Sequence, residues 1–135
     1  MRVGQVRAEL GDRLARIDGL RVFPFGAKRI VPPAAVVGWP DPISYDATFA
    51  RGMDSMVFPV LVAVGDLDSE SSAAALGAYL DGDGPSSVKA VLEGGSYAAC
   101  DSVRVTEARV EPVTVAGISY LAAVLDVAVT GQGKG

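Results

Sequence analysis

The longest apolar run in this chain lies near its middle, and the elements on either side take their places from it. Met56 to Val64 is nine residues without a polar side chain. A strand with one face in water would alternate, so both faces of this one are expected to be buried, by helices, a second sheet or another subunit. Gly65 and Asp66 break the run. Asp68 or Ser69 can then offer a side-chain oxygen to the open N–H groups of a first helical turn. Ala73, Leu76, Tyr79 and Leu80 fall on one helical face, and Gly82 supplies the stop. The stretch from Asp54 to Gly82 therefore reads as strand, turn and helix, with the helix folded back on the strand. Pro59 has no N–H to give to a ladder, which predicts an edge strand or a bulge there. An apolar edge calls for cover, and a second copy of the chain is the simplest cover.

The flanking patterns are more regular. Val3, Val6, Leu10, Leu14 and Ile17 recur at helical steps, predicting an amphipathic helix over 3–18 that Gly19 ends, with Arg7, Arg13 and Arg16 on its other side. Leu20 to Phe25 reads as a short strand and Gly26 to Arg29 as a turn. Pro32-Pro33 holds the approach to a small-residue strand, Ala34 to Trp39, closed by Pro40-Asp41-Pro42. Trp39, the single tryptophan, is expected in core or interface. Ile43 to Phe49 alternates like a half-exposed strand, and Arg51-Gly52 turns into the central run.

Beyond the central helix, Gly84 or Ser86 is placed to cap a second helix, with Pro85 in its first turn. Val88, Val91 and Leu92 form its stripe, and Gly94-Gly95 stops it. In Asp101 to Val110, Val103, Val105 and either Ala108 or Val110 point inward, while Arg104, Thr106 and Arg109 point out. Glu111-Pro112 breaks that strand, and Gly117 marks a hairpin turn. Ile118 to Val129 is again apolar enough to predict cover on both faces. The whole is one domain over residues 1–130, followed by a flexible tail at 131–135.

Composition and charge narrow the function. Half of the residues are hydrophobic and the mean hydropathy is +0.33, high for so small a chain. No apolar run approaches the ~20 residues that span a bilayer, so the surplus apolar surface is expected to meet protein. The charged N-terminus lacks the apolar centre of a signal peptide, and assembly in the cytoplasm is expected. There is no histidine and only one cysteine, Cys100. Those two facts remove the usual general base, the Ser/His and Cys/His nucleophile pairs, an internal disulfide and the commonest zinc ligand.

The net charge of −4 argues against general nucleic-acid binding, yet it is unevenly spread. Residues 1–29 hold seven basic and three acidic groups, +4, whereas the remainder holds five and thirteen, −8. Such a split can steer one subunit's basic end onto the next one's acidic body.

Nothing in the motifs points to catalysis. Asp66/Asp68 and Asp81/Asp83 are carboxylate pairs at helix ends, where aspartate serves capping and turns. Asp81-Gly82-Asp83-Gly84 has no glutamate at the distance an EF-hand needs. The glycines of 82–84 lack the Gly-Lys-Ser/Thr ending of a phosphate loop. Ser86, Ser87 and Cys100 have no identifiable partner base. No catalytic, cofactor or metal site is expected. A second reading makes the chain a small-ligand binding domain with its pocket at Gly65 to Ser71, where a helix N-terminus can receive an anion.

Taken in order, the segments Arg29 to Gly38, Ile43 to Gly52, Phe58 to Gly65, Gly84 to Lys89 and Asp101 to Val105 resemble the tail terminator proteins of long-tailed phages, particularly those infecting actinobacteria. The resemblance implies a small α+β subunit, a mixed, mostly antiparallel β-sheet flanked by the N-terminal helix and the two central helices. It implies a virion protein, assembled in the host cytoplasm. The protein would form a ring, usually sixfold, at the head-proximal end of the tail. Its partners would be its own copies, the tail tube protein and a head–tail connector or stopper, with the genome passing through the ring. Head–tail stoppers and head completion proteins have similar size and composition and are the alternative within the same machine. The family has no short functional motif. The interface residues named from this chain are Arg7, Arg13, Arg16, Arg29, Arg51 and Pro59, for their charge or their disruption of a ladder.

Overall fold

The computed structural model describes residues 1–45 and 52–132. The strand expected over Asp46 to Phe49, the turn residue Arg51 and the last three residues of the tail lie outside them. The elements run α1 (Val3–Leu14), β1 (Arg21–Phe23), β2 (Ala34–Val37), β3 (Ile43–Ser44), β4 (Met53–Asp66), α2 (Glu70–Leu80), α3 (Val88–Glu93), β5 (Ser102–Val110), β6 (Val113–Val115) and β7 (Ile118–Gln132). The strands form one sheet in the order β1-β2-β4-β7-β5, with β3 also pairing β4 and β6 pairing β7. Only the β1–β2 pair is parallel. The fold is α+β, a mostly antiparallel sheet flanked by an N-terminal helix and two central helices, as the sequence implies.

The antiparallel pair of β4 and β7 forms the middle of the sheet, in register from Met53 opposite Gln132 to Asp66 opposite Tyr120. One face of it is dry. Met56, Phe58, Val60 and Val62 of β4, with Ala123, Leu125, Val127 and Val129 of β7, are buried under the helices. α1 contributes Val6, Leu10 and Leu14, α2 contributes Leu76 and Tyr79, and α3 contributes Val88 and Leu92 to the same core. Among the described residues the other face is covered at one end, where Ile30 and Tyr120 close over Ala34, Ala63 and Ala122. Val57, Pro59 and Leu61 are half-exposed on this open face, beside Val36, Val124 and Ala128. The expectation that both faces of β4 and β7 are buried is thus corrected within the single chain. The helix-side face is covered along its length and the open face is not.

Pro59 needs a second correction. β4 is central, not an edge, and its register with β7 passes Pro59 without a shift. The irregularity falls between Ala63 and Gly65 instead, so both Gly65 and Asp66 continue the strand. Pro59 is tolerated because the neighbour of β4 changes there. β2 pairs with Val60 to Ala63 and β3 with Ser55 and Met56, leaving the segment between them to cross at Pro59.

Several boundaries also move. α1 ends at Leu14, although Ile17 still reaches the core from the following turn. Ser69 caps α2, its side chain accepting from the Ser72 amide. The buried stripe of α2 uses Ser72, not Ala73, and the helix stops at Leu80, before Gly82. The cap of α3 is Ser87, not Gly84 or Ser86. Its hydroxyl accepts from Ala90 and donates to the Asp81 carbonyl, which accounts structurally for a candidate nucleophile. A bulge at Thr106 shifts the parity of β5, putting both Ala108 and Val110 on the helix side, opposite Leu125 and Ala123. The hairpin turns through Ala116 and Gly117, both at positive φ, which suits a two-residue loop between twisted strands. Gly131 and Gln132 belong to β7 and are not part of a tail.

The two faces predict unequal costs for equal truncations. Leu76→Ala, which removes a side chain packed between α2 and the sheet, is expected to lose ~2–5 kcal/mol in urea denaturation. Leu61→Ala, on the half-exposed face, is expected to lose less by ~1 kcal/mol or more, because less apolar surface returns to water. Equal losses would mean the open face is covered.

Candidate assembly surface

The site begins with the N–H that Pro59 lacks. Gly38 donates its amide to the Pro59 carbonyl at 2.8 Å, the first half of an antiparallel hydrogen-bonded pair. The second half would run from residue 59 to the Gly38 carbonyl, and proline cannot make it. Arg7 makes it instead. Its Nε donates to the Gly38 carbonyl at 3.3 Å and its terminal nitrogen to the Val37 carbonyl at 3.0 Å. The helix α1 thereby completes a break in the ladder with a charged, forked donor. Gly38 must be glycine for the same reason: a Cβ there would lie 2.8 Å from Pro59 Cγ.

With its hydrogen bonds made on one side, the guanidinium lies over the indole of Trp39, 4.4 Å from the ring centroid, close enough for a cation–π contact. Trp39 is 54% exposed, in neither core nor a closed pocket. It rims a groove of about 420 Å³ between α1 and β1, floored by the small residues Gly4, Ala8 and Gly11 and walled by Val22 and Phe25.

The sequence-named interface residues separate in this setting. Arg7 is turned into the groove and bound to backbone, so it does not stand on an exposed helix side. Arg13 is likewise engaged, its Nε and terminal nitrogen donating to the Val91 carbonyl at 3.2 and 2.9 Å. It ties α1 to α3. Arg16 and Arg29 are exposed, Arg16 in the turn after α1 and Arg29 in the loop before β2. Pro59 sits half-exposed at the middle of the open face. Arg51 lies outside the described residues. The structure therefore brings Arg7, Trp39 and Pro59 together and leaves Arg13, Arg16 and Arg29 elsewhere. Sequence reasoning did not find the groove, since its walls come from segments far apart in the chain.

The remaining candidate chemistry is structural. Glu9 accepts from the Ala98 and Ala99 amides, at 2.7 and 3.0 Å, and fixes the loop before β5. Cys100 is buried in that loop, and burial pushes its thiol up to about 11. Burial likewise pushes Tyr97 up to about 12, with its hydroxyl donating to the Leu92 carbonyl. The first turn of α2 is closed, because a Cβ on Gly65 would meet Ser72 Oγ at 2.8 Å and Ser69 already serves the Ser72 amide. That weakens the anion pocket considered at Gly65 to Ser71.

No protein-family model matches the chain, and no curated protein matches it. One solved protein, whose description states no function, is 22% identical over 94% of this chain and 89% of its own, with a TM-score of 0.43. A likeness at that level carries no argument about family or activity.

Two predictions come from these contacts. Arg7→Met is expected to destabilise the protein by ~1–3 kcal/mol, since it leaves buried carbonyls without a donor. The loss should shrink in a Pro59→Ala background, where residue 59 regains an N–H for Gly38. A double-mutant cycle by denaturation, with Trp39 fluorescence as the local readout, measures the coupling, and strict additivity would contradict the substitution of Arg7 for the missing amide. The raised Cys100 and Tyr97 values set a pH window. The unfolded groups ionise first, so the stability they contribute is intact below about pH 9 and falls as pH rises toward 11. A stability profile flat from pH 8 to 11 would contradict it.

Proposed function

We propose that this protein is a structural subunit of a long-tailed phage, a tail terminator that forms a ring, capping the tail tube and joining it to the head connector. The observation that carries the reading is the open sheet face. Val36, Val57, Pro59, Leu61, Val124 and Ala128 remain half-exposed in one chain, Leu61 against the margin of the Ile30–Tyr120 cluster and the others beyond it. These apolar residues surround the Arg109–Asp126 ion pair, which lies opposite Pro59, and an exposed apolar surface rimmed by polar groups is the usual mark of a protein–protein contact. Several polar groups support the same reading, since Arg7, Arg13, Ser69 and Ser87 are engaged in holding elements together. The resemblance in sequence supplies the particular machine.

In this role the chain works without cofactor or metal. Its partners are its own copies, probed as a sixfold ring, the tail tube protein on one side and a connector or stopper on the other. It belongs at the head-proximal end of the virion tail.

Light scattering coupled to size exclusion, with negative-stain microscopy of the protein alone and mixed with purified tail tubes, tests the proposal. Closed rings, or rings seated on tube ends, are expected. Leu61→Asp together with Val124→Asp should abolish ring formation or tube binding while leaving a cooperative thermal transition. A strict monomer at all concentrations that also fails to bind tubes would overturn the reading. Binding to a head connector and not to tubes would move the protein to the stopper position.

A further inference from the structure

The two ends of a single row of residues across the sheet are complementary. Val22 on β1 is opposite Ala35, Ala35 opposite Val62, Val62 opposite Ala123, and Ala123 opposite Val110 on β5. The three inner members are fully buried, whereas Val22 is 37% and Val110 59% exposed. β1 and β5 are the two edges of the sheet, so this apolar row is bare at both ends. Both terminal side chains lie on the helix side, as their partners Ala35 and Ala123 do.

The backbone at those ends is complementary as well. Arg21 donates its amide to Pro33, so in the parallel ladder Arg21 and Phe23 face β2 and Val22 turns both its N–H and its C=O outward. Glu111 donates to Ala122, which makes that the hydrogen-bonded pair with β7 and turns the N–H and C=O of Val110 outward. Counting through the sheet, β1 runs antiparallel to β5. A copy placed edge to edge would therefore meet β5 with β1 as an antiparallel pair. With Val22 opposite Val110, Arg21 falls opposite Glu111 and Phe23 opposite Arg109. The charges agree with that register: residues 21–37 hold Arg21, Lys28 and Arg29 and no acid, whereas residues 101–126 hold four acids against two arginines. Elsewhere on β5 the edge is already occupied, since the Val105 amide donates to Glu93 at 2.8 Å. Pro24, next along from β1, has no N–H and limits the ladder to a few residues.

We infer that the β1 edge of one copy pairs with the β5 edge of the next, Val22 against Val110 and Arg21 against Glu111, so that the sheet continues from subunit to subunit. The contact is heterologous, using different surfaces on the two partners, and such contacts close into rings when the rotation allows. It deepens the ring reading above and rests on it.

A cross-linking experiment distinguishes the two. A hydrogen-bonded antiparallel pair holds its Cα atoms ~5.5 Å apart, within the range a disulfide spans. Val22→Cys and Val110→Cys are made separately in the full chain, one carrying a mass tag, and mixed under mild oxidation. The expected product is the mixed disulfide dimer, with each variant alone no more cross-linked than the wild type, whose Cys100 is buried. The two substitutions on one chain should give a ladder ending in a closed species. Arg21→Glu and Glu111→Arg should each lower ring yield several-fold, and together restore it. Rings seen by microscopy without the mixed disulfide would overturn this interface while leaving the ring intact. Self-linking of either variant as efficient as the mixture would also overturn it. Absence of any association, with or without tail tubes, would overturn both.

Discussion

The pairing of β4 with β7 is the constraint on which the rest of the molecule depends. A strand of fifteen residues spans about 50 Å, whereas helices of twelve and eleven residues span only about 18 and 16 Å. Helices that short must be laid side by side to cover even one face of so long a ladder. The chain places all three on the same face, with Phe58 and Leu10 among the largest of its fully buried side chains. The open face and the bare ends of the outer strands then follow from arithmetic: among the described residues there is no further helix to put over them. Apolar residues persist on that uncovered surface.

The join between β2 and β3 shows how the chain manages an interruption beside its central strand. Proline in the middle of a sheet ordinarily leaves a neighbouring carbonyl without a donor. Here a cation on a packed helix reaches across to supply it, and the same cation rests on Trp39. The position of α1 is thus tied to the register of the sheet by directional bonds as well as by Val6 and Leu10. Arg13 does the equivalent at the other end of the helix, by bonding to Val91 of α3. What sequence periodicity presents as a basic, solvent-facing side of α1 is in part an internal framework.

Much of the architecture was legible in the residues. The amphipathic period of α1, the Ser69 cap, the Val88 and Leu92 stripe of α3 and the Gly117 hairpin were read from local chemistry, which local rules describe well. The α+β class was legible too. The misreadings were non-local. Pro59 looked like an edge because a single strand does not reveal which neighbours it has, or that one neighbour stops where the other begins. The unbroken apolar run of β4 implied two buried faces without saying what buries the second, since a half-exposed Val57 or Leu61 has the same letter as a buried one, and within one chain the helices cover the first alone. Ala73 was placed on the buried face of α2, yet Ser72 lies inside instead, because Gly65 leaves room for its hydroxyl. The groove at Trp39 had no signature at all, being built from three segments separated by as many as 35 residues, as Gly4 is from Trp39.

The extra residue in β5 carries a consequence of its own. Thr106 is skipped in the register with β7, its hydroxyl donating to the Asp126 carbonyl, so the alternation of side chains slips by one position as the strand passes it. Upstream, Val103 and Val105 point toward the helices. Downstream, the slip keeps Ala108 and Val110 on that side and turns Glu107 and Arg109 to the other. An evenly paired strand would exchange them, carrying two charges toward the core and two small apolar groups toward the open face. One residue thus acts as a phase shifter that decides which chemistry each rim of the sheet displays. What has to be kept is the pairing of Glu107 with Asp126: a strand of the same composition that paired Thr106 there instead would present the opposite chemistry to any neighbour.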